Sequence, residues 1–414
     1  MSPSPLRLIG LICTAEALSM LSMAAFPALL PSFVAEWSLT KTEAGWINGI
    51  YFAGYLSAVP ILVSLTDRTP ARRIYMACMA LSAAAGLGFA FFAEGFWTAM
   101  LFRGLSGIGL AGTYMPGLKL LNDHLERLRP GADHSRSTAL YTSSFAIGLS
   151  ASYVLSGYLA ESFGWPTAFA VVGIGPIIAL VLMAWRLPAD PPMTEAKPDT
   201  HLLDFRPVFR CGPAMAYVLA YTLHNFELFA YRSWAVAYLV FAGTLHPEFG
   251  LAAIAPAVAA VSVLLGVPAS ILGNELSRAI GRHRAVTLIM LTSAVGAVVI
   301  GLAASWSPWL LITFMLIYGV MLAGESSSVT AGVIGAAPKG YRGATMAVHS
   351  CIGFSGSFAG PLVFGIVLDA ADVTGVGGGT VESWSWAFAV SGLVVALGPV
   401  ALFVLGRKRR DANG

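Results

Sequence analysis

The run His224-Asn225-Phe226-Glu227-Leu228-Phe229-Ala230-Tyr231-Arg232-Ser233-Trp234 sets an imidazole, a carboxylate, a phenol and a guanidinium into an otherwise apolar stretch. Spacings of three and four put His224, Glu227, Tyr231 and Arg232 on roughly one face of a helix. Inside a membrane each such group costs a few kcal/mol unless it is paired or faces water. Four on one face therefore mark the wall of a polar cavity, where a solute or a proton could be handled. The competing reading is a satisfied structural network, such as a Glu227–Arg232 or a Glu16–His224 pair. Glu16 and Glu325 lie deep in two other apolar runs, the second within Ala323-Gly-Glu325-Ser-Ser-Ser328. Both are candidate proton carriers, because a carboxyl held away from water is where proton exchange can be driven. Arg103, deep in a fourth run, is a candidate for hydrogen bonding to the backbone of helix 1. Tyr51, Tyr55 and Tyr114 could line a cavity, although rings at helical spacing also serve plain packing. Lys119 and His349 stand nearer the helix ends, where a long or polar side chain can snorkel or cap.

The elements that must hold these groups are membrane helices. Of the 414 residues, 57% are hydrophobic and only 11% charged, with mean hydropathy +0.75. A soluble domain carries about 25% charged residues, so this chain cannot wet the surface of a water-soluble globule. Apolar runs of about 20 residues recur, each long enough to cross a hydrocarbon core about 30 Å thick. The pattern predicts twelve helices near 6–34, 44–65, 74–93, 96–120, 138–160, 165–186, 213–242, 250–273, 285–305, 308–334, 343–369 and 384–405. The first run continues past Pro27 to Phe33 without a small-residue cleavage site, so it is read as helix 1 and not as a signal peptide. Cys13, Cys78, Cys211 and Cys351 are dispersed and imply neither disulfides nor a metal cluster.

Charge then sets orientation. The net charge of +3 does not indicate nucleic-acid binding, because the basic residues segregate by topology. With the N-terminus inside, Arg7, Arg68, Arg72, Arg73, Arg127, Arg129, Arg136, Lys197, Arg206, Arg210, Arg278, Arg282, Arg284, Lys339, Arg342 and the tail Arg407–Arg410 fall on one side, and the other keeps little beyond Lys41. This is the positive-inside asymmetry, so both termini are expected in the cytoplasm. The long polar stretch 188–211 reads as a cytoplasmic linker between an N-terminal half, 1–187, and a C-terminal half, 212–414. A shift of 208 positions pairs Glu16 with His224, Pro60 with Pro268, Asp67 with Glu275 and Gly157 with Gly365. Gly148-x3-Ser152-x4-Gly157 is echoed by Gly356-x3-Gly360-x4-Gly365, and Gly164-Trp165-Pro-Thr-Ala-Phe169 by Ser383-Trp384-Ser-Trp-Ala-Phe388. Small-xxx-small spacing recurs in any membrane bundle; a collinear series of matches points to duplication.

Leu65-Thr-Asp67-Arg68-Thr-Pro-Ala-Arg72-Arg73 resembles the acidic-basic loop between helices 2 and 3 of the major facilitator superfamily. A second copy is Gly273-Asn-Glu275-Leu-Ser-Arg278-Ala-Ile-Gly281-Arg282. Arg103-Gly-Leu-Ser-Gly107-Ile-Gly109 is similar to that family's helix-4 arginine motif, and the Gly-Trp-x-x-x-Phe segment opening helix 6 is another of its marks. The resemblance implies an all-α fold of two pseudo-symmetric six-helix bundles in a bacterial cytoplasmic membrane. It implies a secondary active transporter, monomeric and working by alternating access on a small solute. Substrate handling or proton coupling would fall to Glu16, His224, Glu227, Tyr231, Arg232, Glu325 and Arg103. Gating would fall to Asp67, Arg68, Arg72, Glu275, Arg278 and Arg282. Arg103 and Arg232 favour an anionic solute, with the proton as coupling ion. The alternative is an exporter of drugs or metabolites; helix 5 has Ser152-Tyr153 where drug–proton antiporters have Gly-Pro, whereas helix 11 carries Gly360-Pro361. No cofactor and no enzymatic activity are expected: there is no His-Glu-x-x-His, no phosphate-cradling loop and no nucleotide-binding domain. The glycine run Gly375–Gly379 is read as a flexible loop.

Overall fold

A computed structural model describes residues 4–66, 69–188, 205–372 and 378–406, and among these no strand occurs. The helices are α1 (Pro5–Ser19), α2 (Ala25–Ala28), α3 (Leu30–Glu36), α4 (Lys41–Leu65), α5 (Ala71–Phe92), α6 (Phe96–Leu128), α7 (Ser135–Phe163) and α8 (Trp165–Arg186). They continue as α9 (Arg206–Arg210), α10 (Gly212–Leu245), α11 (Leu251–Ile280), α12 (Arg282–Leu302), α13 (Pro308–Gly324), α14 (Ser326–Ala336), α15 (Arg342–Ala371) and α16 (Val381–Gly406). Counting α1 with the 3-10 turn Met20–Ser22, and α13 with α14, nine described helices are long and apolar enough to cross a membrane. The helices α4, α6 and α7 reach 25, 33 and 29 residues and are not among the nine.

Burial separates the two sides of each helix. In α16, Leu393, Leu397, Val400, Phe403 and Val404 are exposed, while Trp384, Phe388, Ser391, Gly392, Val395 and Leu402 are buried. A stripe of large apolar side chains turned outward along a helix is stable against lipid and not against water. Trp97, Trp309 and Trp386 lie exposed near helix starts, where amphipathic rings favour the interface.

The chain divides into two compact units, one of Met1–Leu29 and Ile50–Asp199, the other of Leu30–Gly49 and Thr200–Gly414. The first has a core of Leu8, Ile12, Tyr75, Met79, Leu121, Tyr141 and Met183 with their neighbours. In the second, Ala220, Val286, Met290, Val329, Val395 and Leu402 pack together. The repeated glycines do the same work in both. A Cβ on Gly148 of α7 would strike the carbonyl oxygen of Ala17 in α1, and Ser152 accepts a hydrogen bond from the Ala24 amide (3.0 Å). Their counterparts on α15, Gly356 and Gly360, meet the carbonyl oxygens of Thr222 and Phe226 in α10 in the same way. Small residues let these backbones touch, which is where helix association in lipid gets much of its attraction.

Four elements depart from the sequence expectation, one of them α6, which runs on to Leu128 instead of ending near residue 120. Helix 1 is broken: α1 ends at Ser19, and α2 and α3 follow as separate pieces. The break follows from Pro27, which has no N–H to give to Met23 four residues earlier. Helix 10 is split at Glu325 into α13 and α14. The helix α11 runs on to Ile280, so Glu275 and Arg278 lie on a helix and not in a loop. Asn274, Glu275, Leu276 and Ser277 are all compatible with helix, and the first strong stop is Gly281 at φ +90°.

Candidate functional site

Each unit holds a buried polar cluster at a broken helix. In the first unit, Glu16 sits one turn before the end of α1 and is fully buried. Its Oε2 accepts a hydrogen bond from the Tyr141 hydroxyl of α7 (2.9 Å), which also lies 2.8 Å from the Tyr114 carbonyl oxygen of α6. Its Oε1 is buried without a partner. Arg103 of α6 is 4% exposed and donates from Nη1 to the Met23 carbonyl oxygen (3.0 Å), the acceptor that Pro27 leaves unused. Its guanidinium also lies 4.5 Å from the Tyr51 ring centroid and 5.7 Å from that of Phe26, both within reach of cation–π attraction. The backbone-bonding expectation for Arg103 is thus realised. Its Nε remains a buried donor with no acceptor.

In the second unit, the polar face of α10 turns into the bundle. His224 Nδ1 is 3.0 Å from Glu325 Oε1, and both side chains are wholly buried. Glu325 Oε2 and His224 Nε2 have no partner. Glu227 accepts from the Tyr318 hydroxyl of α13 (2.9 Å) and the Ser293 hydroxyl of α12 (3.0 Å). Tyr231 reaches Met315 O (3.0 Å) and Ser262 Oγ (3.2 Å). Arg232 is half-buried, with its guanidinium 5.4 Å from the Phe229 ring centroid. His349 of α15 lies close by, its ring 4.1 Å from that of Tyr221. Glu325 is placed by the split in helix 10. It caps α13, and Ser327 at the start of α14 anchors to α11 through Ser270 (Oγ to O, 2.6 Å). A side chain on Gly273 would collide with the Gly324 carbonyl, so glycine at 273 is what lets α11 approach the break.

Glu16, Glu227 and Glu325 have no Lys or Arg ion-pair partner among the described residues. Their neighbours are hydroxyls and one imidazole, so each can load or release a proton without breaking a salt bridge. No group of three or more His, Cys, Asp or Glu among the described residues could hold a metal ion.

Three members of the notional gate have described partners. Arg72 donates to the carbonyl oxygens of Ala184 (3.0 Å) and Pro188 (3.5 Å), closing the C-terminal end of α8. Glu275 and Arg278 pair with each other at 3.1 Å, one turn apart and exposed. Arg282 opens α12, and Asp67 and Arg68 lie outside the described residues. Sequence reasoning missed Tyr141, Ser293 and Tyr318, the hydroxyls that serve Glu16 and Glu227. Tyr141 carried a signal, since it stands 208 positions before His349, the same shift that pairs Glu16 with His224.

Helices with lipid-facing apolar stripes, small-residue seams and buried acids define a polytopic membrane protein with ionisable groups at depth. The chain belongs to the Major Facilitator Superfamily, whose profile it matches over residues 12–361. It is 25% identical over 155 residues to the niacin transporter NiaP of Acinetobacter baylyi, covering 37% of this chain and 34% of that one. It is 27% identical over 227 residues to monocarboxylate transporter 4 of Gallus gallus, covering 52% and 46%. The chain thus spans about a third to a half of the length of these curated relatives. Its fold matches a crystal structure of a bacterial homologue of the human lysosomal transporter Spinster, with TM-score 0.79, 15% identity and 98% of each chain covered. It also matches the nucleoside transporter NupG, with TM-score 0.75, 14% identity and 97% and 99% covered. All of these are transporters, and the expectation that the chain is not an enzyme stands with them.

Proposed function

We propose that this protein is a secondary active transporter that moves a small organic anion, a carboxylate in the first instance, by alternating access coupled to protons. The observation that carries the reading is the set of buried acids, Glu16, Glu227 and Glu325, held by neutral partners and unpaired with any described Lys or Arg. Ionisable groups kept inside a membrane bundle at such cost mark ion and substrate pathways, and sites at discontinuous helices are a recurrent transporter design. Arg103, with a buried donor to spare, and Arg232 supply the charge that favours a carboxylate. The niacin and monocarboxylate transporters among its relatives point to the same class. The working frame is twelve spans in two six-helix halves, 1–187 and 212–414, joined by 188–211, monomeric in a bacterial cytoplasmic membrane with both termini inside. Asp67, Arg68, Arg72, Glu275, Arg278 and Arg282 are assigned to the cytoplasmic gate.

Uptake of nicotinate against nicotinamide into proteoliposomes tests the substrate class, because the two differ in the carboxylate. The proposal expects nicotinate to enter and to be inhibited by lactate and benzoate, with nicotinamide excluded. Equal handling of acid and amide would remove the anion from the proposal.

A further inference from the structure

The first turn of α4 is held by a side chain far away in sequence. Asp369, near the end of α15, accepts from the Lys41 amide at Oδ1 (3.1 Å) and from the Thr42 amide at Oδ2 (2.7 Å). The Thr42 hydroxyl donates to the same Oδ2 at 2.6 Å. This helix already has a local cap. Thr40 Oγ1 accepts from the Glu43 amide (3.1 Å), and Glu43 Oε2 accepts from the Thr40 amide (2.9 Å), the reciprocal arrangement of a capping box. Asp369 satisfies the two amides between them. A carboxylate here also gains from the positive end of the helix dipole.

Below this cap, the two helices touch through residues that offer no ionic grip. A Cβ on Gly45 would sit 2.6 Å from the Pro361 carbonyl oxygen and one on Gly49 would sit 2.6 Å from that of Phe358. Gly365 faces the Lys41 carbonyl as closely, and Trp46 rests on Phe358 with ring centroids 5.5 Å apart. Such a seam has van der Waals attraction and can part without stranding a charge; Asp369 adds a charged clasp to it. Residues Leu30–Gly49 pack into the second compact unit, although the chain on both sides of them, Met1–Leu29 and Ile50–Asp199, belongs to the first. The continuous helix α4 therefore passes from one unit to the other between Gly49 and Ile50.

We propose that Asp369 is an outer latch, whose carboxylate fastens the first turn of α4 to the end of α15 and must release it each time the protein opens to that side. This rests on the alternating-access reading and on the topology that puts this end of the bundle outside. Glu161, which stands 208 positions before Asp369 at the end of α7, is exposed; the latch is built on one side of the repeat.

The test uses full-length protein in liposomes, with Ala44→Cys as a reporter. Ala44 is fully buried in the first turns of α4. Its labelling by a membrane-impermeant maleimide is measured above the background of the native cysteines. Asp369→Ala should raise the labelling rate roughly tenfold, the scale of losing charge-assisted hydrogen bonds, while Glu161→Ala leaves it unchanged. Thr42→Val, which removes one donor and spares both amides, should give a smaller rise. Equal labelling with and without Asp369 overturns the latch. In a second arm, Thr42→Cys and Asp369→Cys are bridged by a short bis-thiol reagent. Bridging should stop nicotinate uptake, and reductant should restore it; bridged protein that transports at the unbridged rate overturns the latch as well. If wild-type protein takes up no nicotinate, the substrate proposal fails, and the labelling arm still decides the latch.

Discussion

Removing His224 and Glu325 one at a time should cost the second unit more, summed over the two changes, than removing both together. The two atoms lie 3.0 Å apart with both side chains at 0% exposure. Neither residue has a second partner to fall back on, since Glu325 Oε2 and His224 Nε2 are already unsatisfied. The change His224→Ala leaves a buried carboxyl with nothing to bond, which costs about 1–3 kcal/mol. Glu325→Ala strands a neutral imidazole, for which about 1–3 kcal/mol is the usual penalty. In the double variant neither group is stranded, so the two single losses should exceed the double loss by about 2–3 kcal/mol. The assay is reversible unfolding in mixed micelles by added SDS, followed by tryptophan fluorescence, for which buried Trp234 on the same helix is a reporter. Losses that add to within about 0.5 kcal/mol would mean that the two residues are energetically independent. That result would refute the pairing on which the second cluster is built.

Other variants separate packing from polar contributions. Gly360→Ala places a methyl group against the Phe226 carbonyl and should cost about 1–3 kcal/mol, whereas Gly10→Ala in α1 meets nothing within 4 Å and should be neutral or gain about 0.5–1 kcal/mol; the same SDS titration compares them. Tyr318→Phe removes the donor to Glu227 Oε1 and should cost about 1–3 kcal/mol, while Ser293 still serves the other oxygen, so Tyr318→Phe with Ser293→Ala should lose more than either change alone. Arg278→Ala breaks a pair whose side chains are 71% and 56% exposed and should change stability by less than about 0.5 kcal/mol, with no dependence on the rest of the gate.

The legible part of this molecule is the part governed by repetition and hydropathy. Apolar run length marked the helices, and the 208-residue shift marked glycines that now sit at equivalent contacts, Gly148 and Gly356 against α1 and α10. Helix interruptions were less legible. Pro27 lay in plain view, yet a proline in a membrane helix can kink, break or pass unnoticed. Arg103 on the Met23 carbonyl and Ser152 on the Ala24 amide take up backbone groups at the break. The α13–α14 break at Glu325 depends likewise on Ser270 and Gly273 of another helix. The extension of α11 beyond residue 273 was missed because a loop motif was read across residues that are individually good in a helix. Within the candidate site, spacing placed His224, Glu227 and Tyr231 together, and the structure keeps them on one side of α10. It could not show which helices supply Tyr318, Ser293 and Tyr141. Those partners are fixed by tertiary packing, which a local pattern does not carry.

Proton-driven transport is the claim on which the rest depends. The direct measurement is nicotinate uptake into proteoliposomes under an imposed pH gradient at zero membrane potential, acid outside, for wild-type protein and for Glu325→Gln. The account predicts transient accumulation above equilibrium in the wild type, abolished by a protonophore, with Glu325→Gln equilibrating nicotinate but never concentrating it. Wild-type uptake that only equilibrates, at the same rate with and without the gradient, would contradict it.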